Sequence, residues 1–251
     1  MSDDDQVMNA GRREAVVIEP RRERGEPNLA GPGLLLINPG EARQAGELAR
    51  AAGWRRYPSF PGALYVAPGG NAWLSGPALG APLAVMALEK LVALGARAVI
   101  SQGWCGSLQP EIAVGDVLLP TTALSEEGTS AHYPVAGPVA ADGELSRQLL
   151  VLLAEAGFSA HGGPVWTTDA PYRETRTKVG RYRRQGIAGV EMEFAALATV
   201  AAFRGIPLAS VLLVSDQVRE DRDWQPAFRR RDFQQQSQRL LAALFAFIAR
   251  A

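Results

Sequence analysis

Two apolar segments separated only by Glu191-Met192-Glu193 constrain this chain more than any other stretch. Ile187-Ala188-Gly189-Val190 reads as the end of a buried strand, and Phe194 to Phe203 (FAALATVAAF) is apolar enough to be a helix packed in a core. Glu191 and Glu193 therefore fall at a strand-to-helix junction. Ligands of open α/β folds gather at the carboxyl ends of strands, where carboxylates can accept hydrogen bonds from a polyol such as a sugar. The same spacing fits a plainer arrangement equally well, with one Glu capping the helix and the other solvated, because acids are favoured in a first helical turn.

With 251 residues, 47% of them hydrophobic, and 26 glycines, the chain can bury a large core as one α/β domain. Lys and Arg balance Asp and Glu at 26 each, and only two histidines are present, so no net field argues for a nucleic-acid or membrane partner. A small neutral or polar ligand fits better. No apolar run approaches the ~20 residues needed to span a bilayer. Cys105 is alone, which excludes an intramolecular disulfide, and the N-terminus is acidic and polar, unlike a signal peptide; together these predict a cytoplasmic protein.

Residues 1–30 are rich in Asp, Glu, Arg and Pro and read as a polar arm, with Ala15 to Ile18 its one short strand candidate; residues 31–251 read as the single domain. Leu34 to Ile37 predicts a buried strand, Asn38-Pro39-Gly40 a turn, and Glu41 to Ala52 a helix. Leu64 to Ala67 and Trp73 to Ser75 predict a hairpin about Pro68-Gly69-Gly70, and Pro82 opens a helix to about Leu94. Ala96 to Ser101 predicts a strand leading into a Gly-rich turn, Gly103-Trp104-Cys105-Gly106-Ser107, which lacks a phosphate-loop lysine. Asp116 to Leu124 and Gly163 to Thr168 are further strands, separated by a polar loop containing His132, read as structural, and a helix over Gly143 to Ala156. Leu208 to Val214 is a buried strand delivering Ser215 and Asp216 at its carboxyl end, and Phe233 to Ala249 a closing amphipathic helix.

Several of these stretches together resemble the nucleoside phosphorylase family, which includes uridine phosphorylase, purine nucleoside phosphorylase and methylthioadenosine nucleosidase. The carriers are Gly103 to Pro110 with Val114-Gly115-Asp116, Glu126 to Tyr133, Thr168 to Arg173, Gly189 to Glu193, and Val214-Ser215-Asp216. The resemblance implies a three-layer α/β/α fold with a mixed, partly barrel-like central sheet of about eight strands. It implies subunits that pair at their active sites, as a homodimer or a hexamer built of dimers. Glu191, Met192 and Glu193 would hold the ribose, Glu193 accepting from its hydroxyls. Asp216 matches the leaving-group acid of purine-cleaving members, which makes Asp216 and Glu193 the catalytic pair. Tyr172 and Trp166, with Trp224, are candidates to stack on the base. The places where uridine-cleaving members read uracil hold Thr175 and Thr177, so a purine-type nucleoside is the expected ligand.

The chain departs from the family where phosphate binds. The positions of two arginines and a threonine read Glu41, Ser101 and Cys105, and the loss of two arginines would cost about 3 to 6 kcal/mol of anion binding. Ser101, Gly103, Cys105, Arg43 and Arg55 remain as acceptor-site candidates. No metal or organic cofactor is expected, although inorganic phosphate could serve as co-substrate. Three readings follow: a nucleosidase using water, with Glu191 a candidate to orient it; a phosphorylase with a rebuilt anion site; and a non-catalytic nucleoside-binding protein, against which the retained Glu193 and Asp216 argue.

Overall fold

The structure, a computed structural model, describes residues 16–59 and 62–250. A nine-stranded mixed sheet organises it. In chain order the elements are β1 (Pro32–Leu36), α1 (Pro39–Ala51), β2 (Arg55–Pro58), β3 (Ala63–Val66), β4 (Trp73–Gly76), α2 (Ala81–Ala93), β5 (Ala98–Ser107) and β6 (Val117–Glu126). They continue with α3 (Gly143–Glu155), β7 (Ala160–Thr168), α4 (Arg176–Arg184), β8 (Gly189–Glu191), α5 (Phe194–Arg204), β9 (Leu208–Gln217) and α6 (Arg231–Ala249).

The sheet order is β2-β3-β4-β1-β5-β8-β7-β6-β9, and β9 also pairs with β5, so the last five strands close into a barrel. The first four extend from it as an open wing. Alternation along the buried strands sorts side chains to two faces. Leu34 and Leu36 of β1, with Ala209, Val211 and Leu213 of β9, pack beneath α1, α3 and α6. Leu35 and Ile37, with Leu208, Leu212 and Val214, pack beneath α2 and α5. These are the two outer layers of the expected three-layer architecture.

Several boundaries differ from the sequence reading for physical reasons. Gly103 to Ser107 is not a turn: β5 runs through it, paired in parallel with β9, with a bulge between Cys105 and Gly106. Its glycines serve close approach. A Cβ on Gly106 would lie 2.5 Å from Val218 and 3.1 Å from the Asp216 carboxylate. Likewise β9 continues past Val214 and carries Ser215 and Asp216 within the strand. Val16 to Ile18 is exposed and forms no strand, and Ala15 lies outside the described residues. Two elements gave too little apolar signal to be foreseen, the exposed edge strand β2 (RRYP) and the basic helix α4 (RTKVGRYRR).

Leu29, ahead of β1, is buried and donates its N–H to the Leu94 carbonyl, so this part of the chain docks on the end of α2.

Candidate active site

A cavity of about 520 Å³ opens where β5, β8 and β9 end. Trp104 to Gly106 come from β5, Val190 to Glu193 from β8 and the turn after it, and Ser215 and Asp216 from β9. Two loop segments, Pro171 to Arg176 and Val218 to Trp224, wall the other side. The closed barrel causes this convergence, because β5 is flanked by β8 and β9 and all three deliver their ends to one place.

Glu191 and Glu193 have separate tasks. Glu191 is 5% exposed, and one carboxylate oxygen accepts from the backbone N–H groups of Glu193 (2.7 Å) and Phe194 (2.6 Å). Its other oxygen accepts from the Thr167 hydroxyl. Glu191 therefore caps α5 and pins β8 to β7, and its oxygens are occupied by protein donors rather than free to orient a water. Glu193 spends one oxygen on the Gly80 N–H (2.6 Å), at the start of α2. Burial raises both pKa values, and for Glu193 the neighbouring Glu191 charge raises it further. Glu191 accepts from Glu193, Phe194 and Thr167, against backbone groups at Gly80 and Met192 for Glu193, so Glu191 holds its charge the more readily of the two.

Asp216 is 6% exposed, one oxygen accepting from the Ser215 hydroxyl (2.6 Å) and the other from the Trp224 indole N–H (2.7 Å). Burial pushes its pKa up against the pull of these two donors. Glu174, which the sequence reading did not single out, lines the same end of the cavity; burial and then the Asp216 charge push its carboxyl up to about 7. Arg176 joins the two loop walls, donating to the Glu220 and Arg222 carbonyls and to Asp223 (2.9 Å).

The remaining candidates divide. Met192 and Tyr172 line the cavity, Tyr172 almost fully exposed at its rim. Cys105 lines it too, but burial and the charges of Asp216 and Glu191 push its thiol far up, so it is a neutral wall. Trp166 does not reach the cavity: it is fully buried, its indole N–H donates to Glu126 (3.0 Å), and it packs on Tyr182. Of the two tryptophan candidates for stacking on the base, Trp224 is the one at the cavity, as a partner of Asp216. Ser101 is hydrogen-bonded across the β5–β9 pair to Ser210, its register neighbour, and Gly103 faces Ile37; neither lines the cavity. Arg43 is exposed on α1, and Arg55 stacks on Tyr57 (4.8 Å) beside a separate, smaller cleft.

Glu41, expected to face a bound anion, is turned into the interface of α1 and α6. There it accepts from Trp104 (3.1 Å) and Ser237 (2.6 Å). Thr175 caps α4, accepting from the Lys178 N–H (3.3 Å), a role its position before a helix could have revealed. His132 is exposed in the polar loop. Among the described residues no group of His, Cys, Asp and Glu is arranged to hold a metal ion, and no helix is long and apolar enough to cross a membrane.

Comparison with known proteins agrees with this architecture. The family model of the phosphorylase superfamily matches residues 34–250. Guanosine phosphorylase of Halorubrum lacusprofundi is 31% identical over 137 residues, covering 54% of this chain and 57% of that protein. A DeoD-type purine nucleoside phosphorylase of Bacillus cereus is 31% identical over 150 residues (58% and 63%), and uridine phosphorylase of Escherichia coli 30% over 143 (51% and 56%). The chain thus matches less than two thirds of the length of these relatives. In fold, purine nucleoside phosphorylase of Toxoplasma gondii, solved with immucillin-H, superposes with a TM-score of 0.74 at 19% identity, over 95% of this chain and 100% of the other. Uridine phosphorylase of Vibrio fischeri gives 0.71 at 23%, over 88% and 90%. With its barrel-and-wing sheet and a family match that runs from β1 to the last helix, this chain belongs to the phosphorylase superfamily.

Proposed function

We propose that this chain breaks the N-ribosidic bond of a purine-type nucleoside and releases the base. One observation carries the reading: Asp216, buried and raised in pKa, shares a cavity with the Glu193 carboxylate. Breaking the bond between C1′ and the base builds positive charge on the sugar. A carboxylate bonded to a ribose hydroxyl strengthens as that charge grows, which suits the Glu193 oxygen that Gly80 leaves free. The electron pair of the broken bond passes to the base, which must gain a proton at its other imidazole-ring nitrogen. Asp216 in its acid form supplies that proton, and the carboxylate left behind is met by the Ser215 hydroxyl and the Trp224 N–H.

The acceptor at C1′ is phosphate or water, and different observations favour each. The relatives are named phosphorylases, which favours phosphate. The cavity-lining arginines among the described residues, Arg176, Arg219 and Arg222, are held by Asp223, Asp221 and backbone carbonyls, and no cation stands where Ile37, Asn38 and Trp104 line the cavity, which favours water.

Base release from guanosine, inosine, adenosine, methylthioadenosine and uridine, with and without phosphate, tests the reading when the sugar product is identified. Release from a purine nucleoside is expected. Ribose 1-phosphate would identify phosphate as acceptor and free ribose would identify water; no release from any purine nucleoside would refute the proposal.

A further inference from the structure

We propose that Asn38, Glu41 and Gln102 form a monovalent-cation site behind the Trp104 wall of the cavity, with two amide oxygens and one carboxylate oxygen as ligands. The site lies apart from the groups assigned to nucleoside cleavage and does not depend on that reading.

Unmet hydrogen bonding supplies the first argument. Among the described residues, seven buried side-chain polar atoms have no hydrogen-bond partner, and four of them are Asn38 Oδ1, Glu41 Oε2 and both amide atoms of Gln102. Gln102 is fully buried and Glu41 is 4% exposed. Buried polar groups are nearly always paired, so this concentration on three residues points to a ligand.

The fold brings the three together. Gln102 is the register neighbour of Leu36 on β1, and its carbonyl accepts from the N–H of Ile37 (2.9 Å), the residue before Asn38. Side chains alternate along β5, so Gln102 shares a face with Ile100 and Trp104, which pack in the layer under α1 and α6. Glu41, in the first turn of α1, meets that face, because its Oε1 accepts from Trp104 (3.1 Å) and from Ser237 of α6 (2.6 Å). Asn38 stands at the N-cap of α1, where asparagine is favoured, yet its side chain makes no capping bond, which leaves Oδ1 for another partner.

Charge decides what that partner is. The donors to Glu41, Trp104 and Ser237, are neutral, and among the described residues no cation pairs with it. A carboxylate held out of water without a counter-charge is costly, and a bound cation removes the cost. A water molecule would bring two donors for three acceptor oxygens, and no charge. Amide and carboxylate oxygens suit hard ions, and a single carboxylate balances Na⁺ or K⁺ but leaves a divalent ion under-compensated. The bound ion fixes Glu41 and, through it, the Trp104 indole that lines the cavity.

Thermal melts of the full chain in LiCl, NaCl, KCl and choline chloride, at equal ionic strength, test this. The melting temperature should be about 2–5 °C higher in about 0.2 M of the fitting inorganic ion than in choline chloride, as ligand linkage requires, and the ion giving the largest rise identifies the size the site takes. Glu41→Gln, which keeps the shape and removes the charge, should abolish the difference; Gln102→Met, which removes the amide, should reduce it. Either variant decides the matter if the other fails to fold. Equal melting in all the salts, or an ion-specific rise undiminished in the variants, would overturn the inference. The readout needs no turnover, so its failure and that of the cleavage reading are distinguishable.

Discussion

At the end of the cavity assigned to ribose, the carboxylates are held by regular structure: Glu191 by N–H groups at the start of α5 and by Thr167 on β7, Glu193 by the Gly80 N–H that immediately precedes α2. At the end assigned to the base, only Asp216 comes from a strand. Glu174 and Trp224 sit on loops, and the loop that carries Trp224 is tied to α4 by side chains, Arg176 to Asp223 and Arg183 to Glu220. On the proposed reading, the chemistry common to every nucleoside is placed on rigid elements, and the part that distinguishes bases on segments that can change without disturbing the core.

Substitutions at the two ends should separate these roles. The largest effect is expected from Asp216→Asn, which keeps the side-chain shape but has no proton to give; kcat on a purine nucleoside should fall by about 10² to 10⁴ with nucleoside affinity nearly intact. Equal loss of affinity would mean that the base end is not functionally distinct.

Glu193→Gln should lower kcat/KM by about 10² to 10³, as loss of transition-state stabilisation does. It should also change stability in a pH-dependent direction. The Glu193 carboxyl titrates higher in the folded chain than its ordinary 4.5, so the folded state holds the extra proton and stability falls as pH rises through that window. The amide removes this loss. Thermal melts should coincide in acid and favour the variant at alkaline pH, by about 2–4 °C for each kcal/mol of buried charge removed. A variant less stable at alkaline pH would show that the charge is satisfied in the fold.

Trp224→Phe removes a donor that pulls the Asp216 pKa down. The alkaline limb of the kcat/KM profile should therefore move to higher pH, with the plateau rate changed only several-fold. An immobile limb would detach Asp216 from that limb. Arg176→Ala should raise KM by about fivefold or less with the melting temperature little changed, because exposed ion pairs contribute on the order of 1 kcal/mol or less. Ser101→Ala, which removes only the pair with Ser210, should leave kcat/KM within about twofold, since polar substitutions away from a site have small effects.

The same division governs what could be read from the sequence. Leu34 to Ile37, Leu208 to Val214 and FAALATVAAF were legible because full burial demands unbroken apolar runs, and these runs placed Glu191, Glu193 and Asp216 at their ends. Gly103 to Ser107 misleads because its glycines answer close packing, Gly106 against β8 and β9 in the closed barrel and Gly103 against Ile37. Trp166 and Trp224 were indistinguishable as aromatic candidates. Trp166 is drawn inward by Glu126 and Tyr182, residues brought to it by the fold. Glu174 gave no signal, since a lone acid ahead of a helix carries no periodicity and its proximity to Asp216 arises from a loop meeting the end of β9.

In the proposed reaction Asp216 protonates the departing base while Glu193 serves the sugar. This division is tested most directly by comparing wild type and Asp216→Asn on guanosine and on 7-methylguanosine, whose base is already cationic and leaves without a proton. Asp216→Asn should lose about 10² or more on guanosine and less than about tenfold on 7-methylguanosine. Equal losses on the two nucleosides would contradict it, because Asp216 would then be acting on something other than the leaving group.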